Sequence, residues 1–214
     1  MLGLEEVIGL EVISSDARVV GTVEGVGIDI QAWKVPALKV GLRRGVEETL
    51  GKRRHMFAVE KVYISTAQID TVSDTVILRR PVSAVSEVVI EDESALVSAG
   101  ALMGMRVICC NARYVGMVDN MVFDPEHDWS IPFLQVKLDR EAVDSLNMRH
   151  PFLVAPVTHI RTSDVRAIGD MVMMSITLEE LRSLLESRPT VLSPEAAAGK
   201  EPGERDRPGS QGLP

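Results

Sequence analysis

From Gly9 onward, apolar and polar residues alternate, halt at a polar turn and alternate again, so that Gly9–Val23 reads GLEVISSDARVVGTV. A period of two, interrupted by Asp16-Ala17-Arg18, is the pattern of a β-hairpin buried on one face. The pattern returns at Gly104–Val118, GMRVICCNARYVGMV, in which Gly9, Val12, Ile13, Ala17, Arg18, Val20, Gly21 and Val23 all reappear at one constant interval. There the turn is Asn111-Ala112-Arg113. Asp and Asn can exchange at such a turn because both side chains bond the backbone two residues on and both tolerate a left-handed conformation. The chain is a tandem repeat.

The copies run on in parallel. Residues 2 to 8 lead into the first strand as residues 97 to 103 lead into the second copy, and Asp29 and Asp124 close the second strand. WKVPALKVGL (Trp33–Leu42) then answers WSIPFLQVKL (Trp129–Leu138), with one extra residue in the turn Asp124–Asp128, a loop tip that tolerates insertion. Pro36 and Pro132 cannot donate to a ladder and mark an edge or a bulge. The polar stretches Arg43–Gly51 and Asp139–Asn147 predict one or two helical turns across a barrel mouth, ended by Gly51 and Asn147. Strands resume at Phe57–Thr66 and Phe152–Thr162 and finish at Gln68–Arg80 and Asp164–Ile176, turning at Asp74 and Asp170.

A short helix closes each copy. Thr177 and Glu180 spell a capping box, and Leu178, Leu181, Leu184 and Leu185 form one stripe. Val82, Val85, Val88 and Val89 hold the matching positions in copy one, where β-branching weakens helix propensity; Pro81–Val89 reads as helix ahead of strand. Five or six short strands per copy pair most economically in a small closed sheet, which removes exposed edges. The expected fold is mainly β: two tandem small β-barrels, residues 1–90 and 91–188, each followed by a short helix. Residues 189–214, rich in Pro, Gly and charge and without apolar period, are expected to be a disordered tail.

The 214 residues suit two small domains, and 45% hydrophobic with 25% charged residues is an ordinary globular composition. No apolar run reaches the ~20 residues that span a bilayer, and the N-terminus MLGLEEVIGL has no basic leader. A soluble, cytoplasmic protein without direct membrane insertion is the expectation. A net charge of −8 disfavours wholesale binding to nucleic acid. Cys109 and Cys110 adjoin in a predicted strand and so point to opposite faces, one buried and one partly exposed, which fits a reducing compartment.

Gly104, Asn111, Gly116, Asp124 and the run Ile160–Val172, IRTSDVRAIGDMV, resemble the PRC-barrel family, whose pattern ends in I-P-x-x-x-V-x-x-I-G-D-x-V; Gly9, Asp16, Gly21, Asp29 and Ile64–Val76 match it more loosely. Arg161 and Ser65 replace the proline, and Val72-Ser73 the Ile-Gly pair. The two-copy arrangement is most similar to archaeal members. The resemblance covers nearly all of residues 2–186 and implies PRC-like barrels that bind proteins rather than catalyse: ribosomal protein in a ribosome-maturation factor, and in archaea the division machinery that anchors a tubulin-like ring to the membrane.

Candidate chemistry is sparse. His55, His127, His150 and His159 occupy no shared repeat position, no acid, base and nucleophile converge, and neither an enzyme nor a cofactor is expected. The glycines of Gly21–Gly27 lead to no predicted helix and make no phosphate loop. Asp124, Glu126, His127 and Asp128 read as a solvated turn rather than a metal site. Trp33 and Trp129, the two tryptophans, share a repeat position beside a hairpin tip. Because Trp is enriched at interface hot spots, Trp129 with Phe133 and Tyr114, and Trp33 in copy one, are the candidate partner-binding anchors of a self-associating adaptor. The alternative is a ribosome-maturation or RNA-processing factor using Arg43, Arg44, Arg53 and Arg54, a patch that also holds Lys52 and His55 but lacks aromatic platforms.

Overall fold

The computed structural model describes residues 1–49, 59–148 and 155–186. Copy one runs β1 (Leu2–Gly3), α1 (Leu4–Val7), β2 (Glu11–Ile13), β3 (Val19–Asp29), β4 (Lys34–Leu42), α2 (Val46–Thr49), β5 (Lys61–Ser65), β6 (Ile69–Val72), β7 (Thr75–Leu78), a 3-10 helix Val82–Val88 and β8 (Val89–Ile90). Copy two runs β9 (Val97–Ser98), a 3-10 turn Ala99–Ala101, β10 (Arg106–Ile108), β11 (Tyr114–Asp124), β12 (Ser130–Leu138), α3 (Arg140–Ser145), β13 (Val157–Arg161), β14 (Val165–Ile168), β15 (Val172–Met174) and α4 (Leu178–Glu186). The mainly β reading holds.

In copy one the ladders run β6, β7, β2, β3, β4, β5, and the 3-10 turn Thr66–Gln68 carries the chain from β5 directly into β6, joining the two ends of the curled sheet covalently. Copy two repeats this order with β14, β15, β10, β11, β12 and β13. The long strands bend at matching register shifts, Val23/Gly25 and Gly27/Asp29 against Val118/Asn120 and Val122/Asp124. Bulges of this kind sharpen the twist that curls a sheet. Pro36 and Pro132 sit where the second shift leaves the ladder open, and the hydroxyls of Thr66 and Thr162 donate to the carbonyls of Val35 and Ile131 beside them, each at 2.7 Å. The prolines therefore mark bulges, on strands that are paired along both sides.

Two glycines fix how closely the hairpin can pack. A Cβ on Gly21 would overlap the carbonyl oxygen of Gly41, and one on Gly116, its repeat equivalent, the carbonyl oxygen of Lys137. In the first turn the left-handed residue is Ala17 (φ 58°), and in the second Ala112 (φ 62°), rather than Asp16 or Asn111. Asp16 instead works as an acceptor: its Oδ1 takes bonds from Ser14 Oγ at 2.6 Å and from the Val82 amide at 3.0 Å, tying the hairpin to the closing helix. The Ser14 hydroxyl and then the Val82 amide hold the Asp16 carboxyl below the usual 3.8.

The closing helices differ as their spacing dictates. Val82, Val85 and Val88 recur every third residue and are buried, which suits the three-residue turn of a 3-10 helix, kinked at Ala84. Copy two builds an α-helix of nine residues with the expected capping box, Thr177 N to Glu180 Oε2 at 2.8 Å and Glu180 N to Thr177 Oγ1 at 3.2 Å. The turns across the mouth are α2 and α3; α3 is followed by Asn147 at φ 55°, whereas Gly51, the starts of both resuming strands at Phe57 and Phe152, and the tail 189–214 lie outside the described residues.

The lead-in strands pair with the copy they do not introduce. β1 pairs with β11 of copy two, Leu2 opposite Phe123, and β9 pairs with β3 of copy one, Val97 opposite Ile28; the two pairings are equivalent in repeat register. The strands that meet in the middle obey the same exchange: Val35 N donates to Trp129 O at 2.9 Å and Ile131 N to Trp33 O at 2.7 Å, about the pair Lys34–Ser130. One hydrophobic core cluster crosses both copies. The division at residue 90 thus follows the repeat rather than the packing.

Two expectations follow. Cleavage at a protease site engineered into the exposed linker residues 91–95 leaves both fragments together in gel filtration, parting only in denaturant; separate elution of the fragments in native buffer would contradict the exchange. Gly21→Ala and Gly116→Ala each lower unfolding free energy by about 3 kcal/mol in chemical denaturation, because backbone rather than a side chain must yield.

Candidate docking groove of the second copy

Among the described residues, copy two has a concavity along β13. Asp139 caps α3, its Oδ2 accepting from Glu141 N at 3.2 Å, and the left-handed Asn147 turns the chain away so that Leu146 and Met148 form one wall. Leu185, Arg182 and Glu186 of α4 form the other, and Val157 and Thr158 of β13 the floor, around a space of about 360 Å³. Arg113 fixes the spacing of the walls, with Nη1 donating to Glu179 Oε1 on α4 at 3.2 Å and Nη2 to Ser145 Oγ on α3 at 2.9 Å. Arg182 pairs with Glu186 along the rim at 2.7 Å. The floor residue Val157 remains 40% exposed, and Met117 44%, on either side of Lys137 in one row across β11, β12 and β13. Leu146 and Met148 facing Leu185, with an ion-paired rim, suit the burial of apolar side chains.

Copy one shows what such a position accepts. β5, the equivalent of β13, pairs with β4 on one side and with β8 on the other, Tyr63 opposite Ile90 and Ile64 opposite Val89. Leu96 and the Tyr63 ring both lie against Gly27, and the Tyr63 ring is buried beneath Lys39 at 5.5 Å. Among the described residues β13 has a ladder only with β12. The difference is visible in the sequence, once its meaning is known: Val89-Ile90 is a β-branched pair, and Leu185-Glu186 at the same repeat position continues a helix.

The aromatic anchors expected from the sequence do not form one patch. Trp129 is buried, only 7% exposed, and stacks on Phe123 at 5.8 Å between centroids, and Trp33 packs partly buried against the same core. Both take left-handed φ, 52° and 50°, uncommon for bulky residues and imposed by the main-chain bonds across the seam. They join the copies to each other, which is the role sequence reasoning missed. Phe133 meets His159 edge-on at 6.0 Å, and Tyr114 lies under Arg106 at 5.7 Å. Phe133 is opposite Val122, and Tyr114 begins β11, so the two rings stand at opposite ends of one hairpin.

Of the basic cluster, Arg43 and Arg44 are exposed before α2, whereas Lys52, Arg53, Arg54 and His55 lie outside the described residues, as do Arg149 and His150. In the acidic turn Asp124 serves the backbone and its neighbour, accepting from Glu126 N at 3.1 Å and contacting His127 Nδ1 at 2.8 Å, and Asp128 pairs with Lys34 across the seam. Among the described residues no group of three or more His, Cys, Asp and Glu is placed to hold a metal ion. Cys109 is buried and Cys110 exposed, both as free thiols, and burial pushes the Cys109 thiol up to about 11.

A long bulged strand between two neighbours, with β2 parallel to β7, defines the class: a small curled β-barrel. Within it, a PRC-barrel domain is found at residues 1–85, on the copy whose motifs match that family more loosely. A solved structure described as a 16S ribosomal RNA processing protein, RimM, from Pseudomonas aeruginosa is similar over 81% of this chain and 98% of its own, at 13% identity and a TM-score of 0.26. No curated protein matches the chain. Among the described residues no helix is long and apolar enough to cross a membrane.

Trp129→Ala is expected to lower unfolding free energy by about 3 kcal/mol, as removal of a buried aromatic does. A thermal melt within 1–2 °C of wild type would instead return Trp129 to the surface role the sequence suggested.

Proposed function

We propose that the protein is a cytoplasmic, non-catalytic adaptor whose second copy docks an extended segment of a protein partner in the groove along β13. The observation that carries this reading is β8. In copy one a short apolar strand adds to the equivalent edge, and strand addition is a general mode of peptide recognition in which main-chain bonds supply affinity and side-chain pockets supply specificity. Groove walls held apart by Arg113 and a floor exposing Val157 fit an alternating apolar segment.

The family resemblance directs the search for that partner to division and membrane-ring machinery first. The RNA-processing alternative rests on Arg43, Arg44, Arg53 and Arg54, of which Arg43 and Arg44 are exposed before α2 and Arg53 and Arg54 lie outside the described residues.

Val157→Glu in the full chain tests the reading, since a charge placed on a half-exposed floor residue spares the core. The partner recovered from nuclease-treated native lysate should fall at least tenfold against wild type, with the melting temperature nearly unchanged. Equal recovery of that partner by both proteins would refute the groove as the docking site.

A further inference from the structure

The groove in copy one is filled by the chain itself, which raises the question of what the chain offers copy two. In copy one the added strand β8 begins at the residue after the closing helix, and it is a β-branched pair, Val89-Ile90. In copy two the helix runs on through Leu185 and Glu186, the repeat equivalents of that pair, and both residues line the groove. The chain then continues for the 28 residues 187–214. Its next apolar residues are Val191 and Leu192, in the stretch Pro189-Thr190-Val191-Leu192-Ser193-Pro194.

Three features single this stretch out. Thr and Val favour a pleated, half-buried surface. The two prolines bracket it, so that main-chain donors are continuous from Thr190 to Ser193 and are interrupted on either side. The reach is also adequate: four steps from Glu186 to Thr190 span up to about 13 Å, starting from a residue already on the groove wall. Beyond Pro194 the sequence, EAAAGKEPGERDRPGSQGLP, holds no second pair of large apolar side chains, only the alanines 196–198 and a single leucine, Leu213.

We propose that Thr190–Leu192 of the chain's own tail adds to the edge of β13 as an antiparallel strand, the counterpart in copy two of β8 on β5, with Val191 or Leu192 seated between Met148, Val157 and Leu185. The proposal rests on the docking reading above and deepens it: the tail competes in cis with a partner's segment for one groove, and the partner must displace it.

Amide hydrogen exchange on the full chain tests this. Against wild type, the double variant Val191→Asp with Leu192→Asp should exchange at least tenfold faster at amides within Val157–Arg161, while β5, already paired with β8, is unchanged. Thr190→Pro, which deletes a donor inside the bracketed stretch, should act in the same direction, and Ala197→Asp, outside it, should not. Equal exchange of β13 in wild type and both tail variants overturns the proposal. If β13 exchange rises in the tail variants while partner recovery ignores Val157→Glu, the tail strand stands and the docking reading falls. If β13 exchange is unchanged while Val157→Glu abolishes recovery, the docking reading stands and the tail strand falls.

Discussion

Main-chain hydrogen bonding at strand edges governs this molecule. A short strand left at a sheet edge presents a row of unpaired N–H and C=O groups, and a half-chain of this size has few ways to cover one. Here the two copies solve the problem for each other. Each sends its first residues across to the other's longest strand, β1 to β11 and β9 to β3, and each donates one amide to the other's tryptophan carbonyl. Asn120 strengthens one side of the exchange, its Oδ1 accepting from the Leu4 amide at 3.0 Å and from its neighbour Met121 at 2.8 Å. The repeat equivalent is Gly25, so the two sides are alike in topology and unequal in detail.

That inequality is where function enters. A pseudo-symmetric pair of barrels could in principle bury both outer edges with equivalent segments, yet the residues after the closing helix differ. Valines spaced by three make a short 3-10 helix that releases Val89-Ile90 in time to pair with β5. Leucines at helical spacing, fixed by the Thr177–Glu180 box, carry α4 two residues further and turn the same positions into a groove wall. Small local preferences, each worth a few tenths of a kcal/mol per residue, thus decide whether an edge is sealed by its own linker or bordered by a helix and a cleft.

The tryptophans illustrate how a sound prior can point to the wrong surface. A pair at one repeat position beside a hairpin tip has the signature of a recognition site, and Trp33 and Trp129 do lie at an interface. The interface is internal. Their left-handed backbones aim carbonyls across the seam, and the Trp129 ring fills space against Phe123. Nothing in one-dimensional spacing distinguishes a ring that meets another protein from one that meets the other half of its own chain.

The succession of strands along the chain, the hairpin turns, the prolines as marks of an edge or a bulge, and the α4 capping box were all legible in the sequence, because each depends on residues within a few positions of one another: alternation sets the buried face, proline removes a donor, and Thr-x-x-Glu caps a helix. The repeat itself was legible for the same reason, since equal local patterns give equal local structure. Which edge each lead-in strand would cover was not, because β1 is satisfied equally well, as far as its own residues go, by either copy's long strand. The tertiary structure decided that, through contacts between residues as far apart in the chain as Leu4 and Asn120, and it likewise decided the burial of Trp129 and the groove along β13.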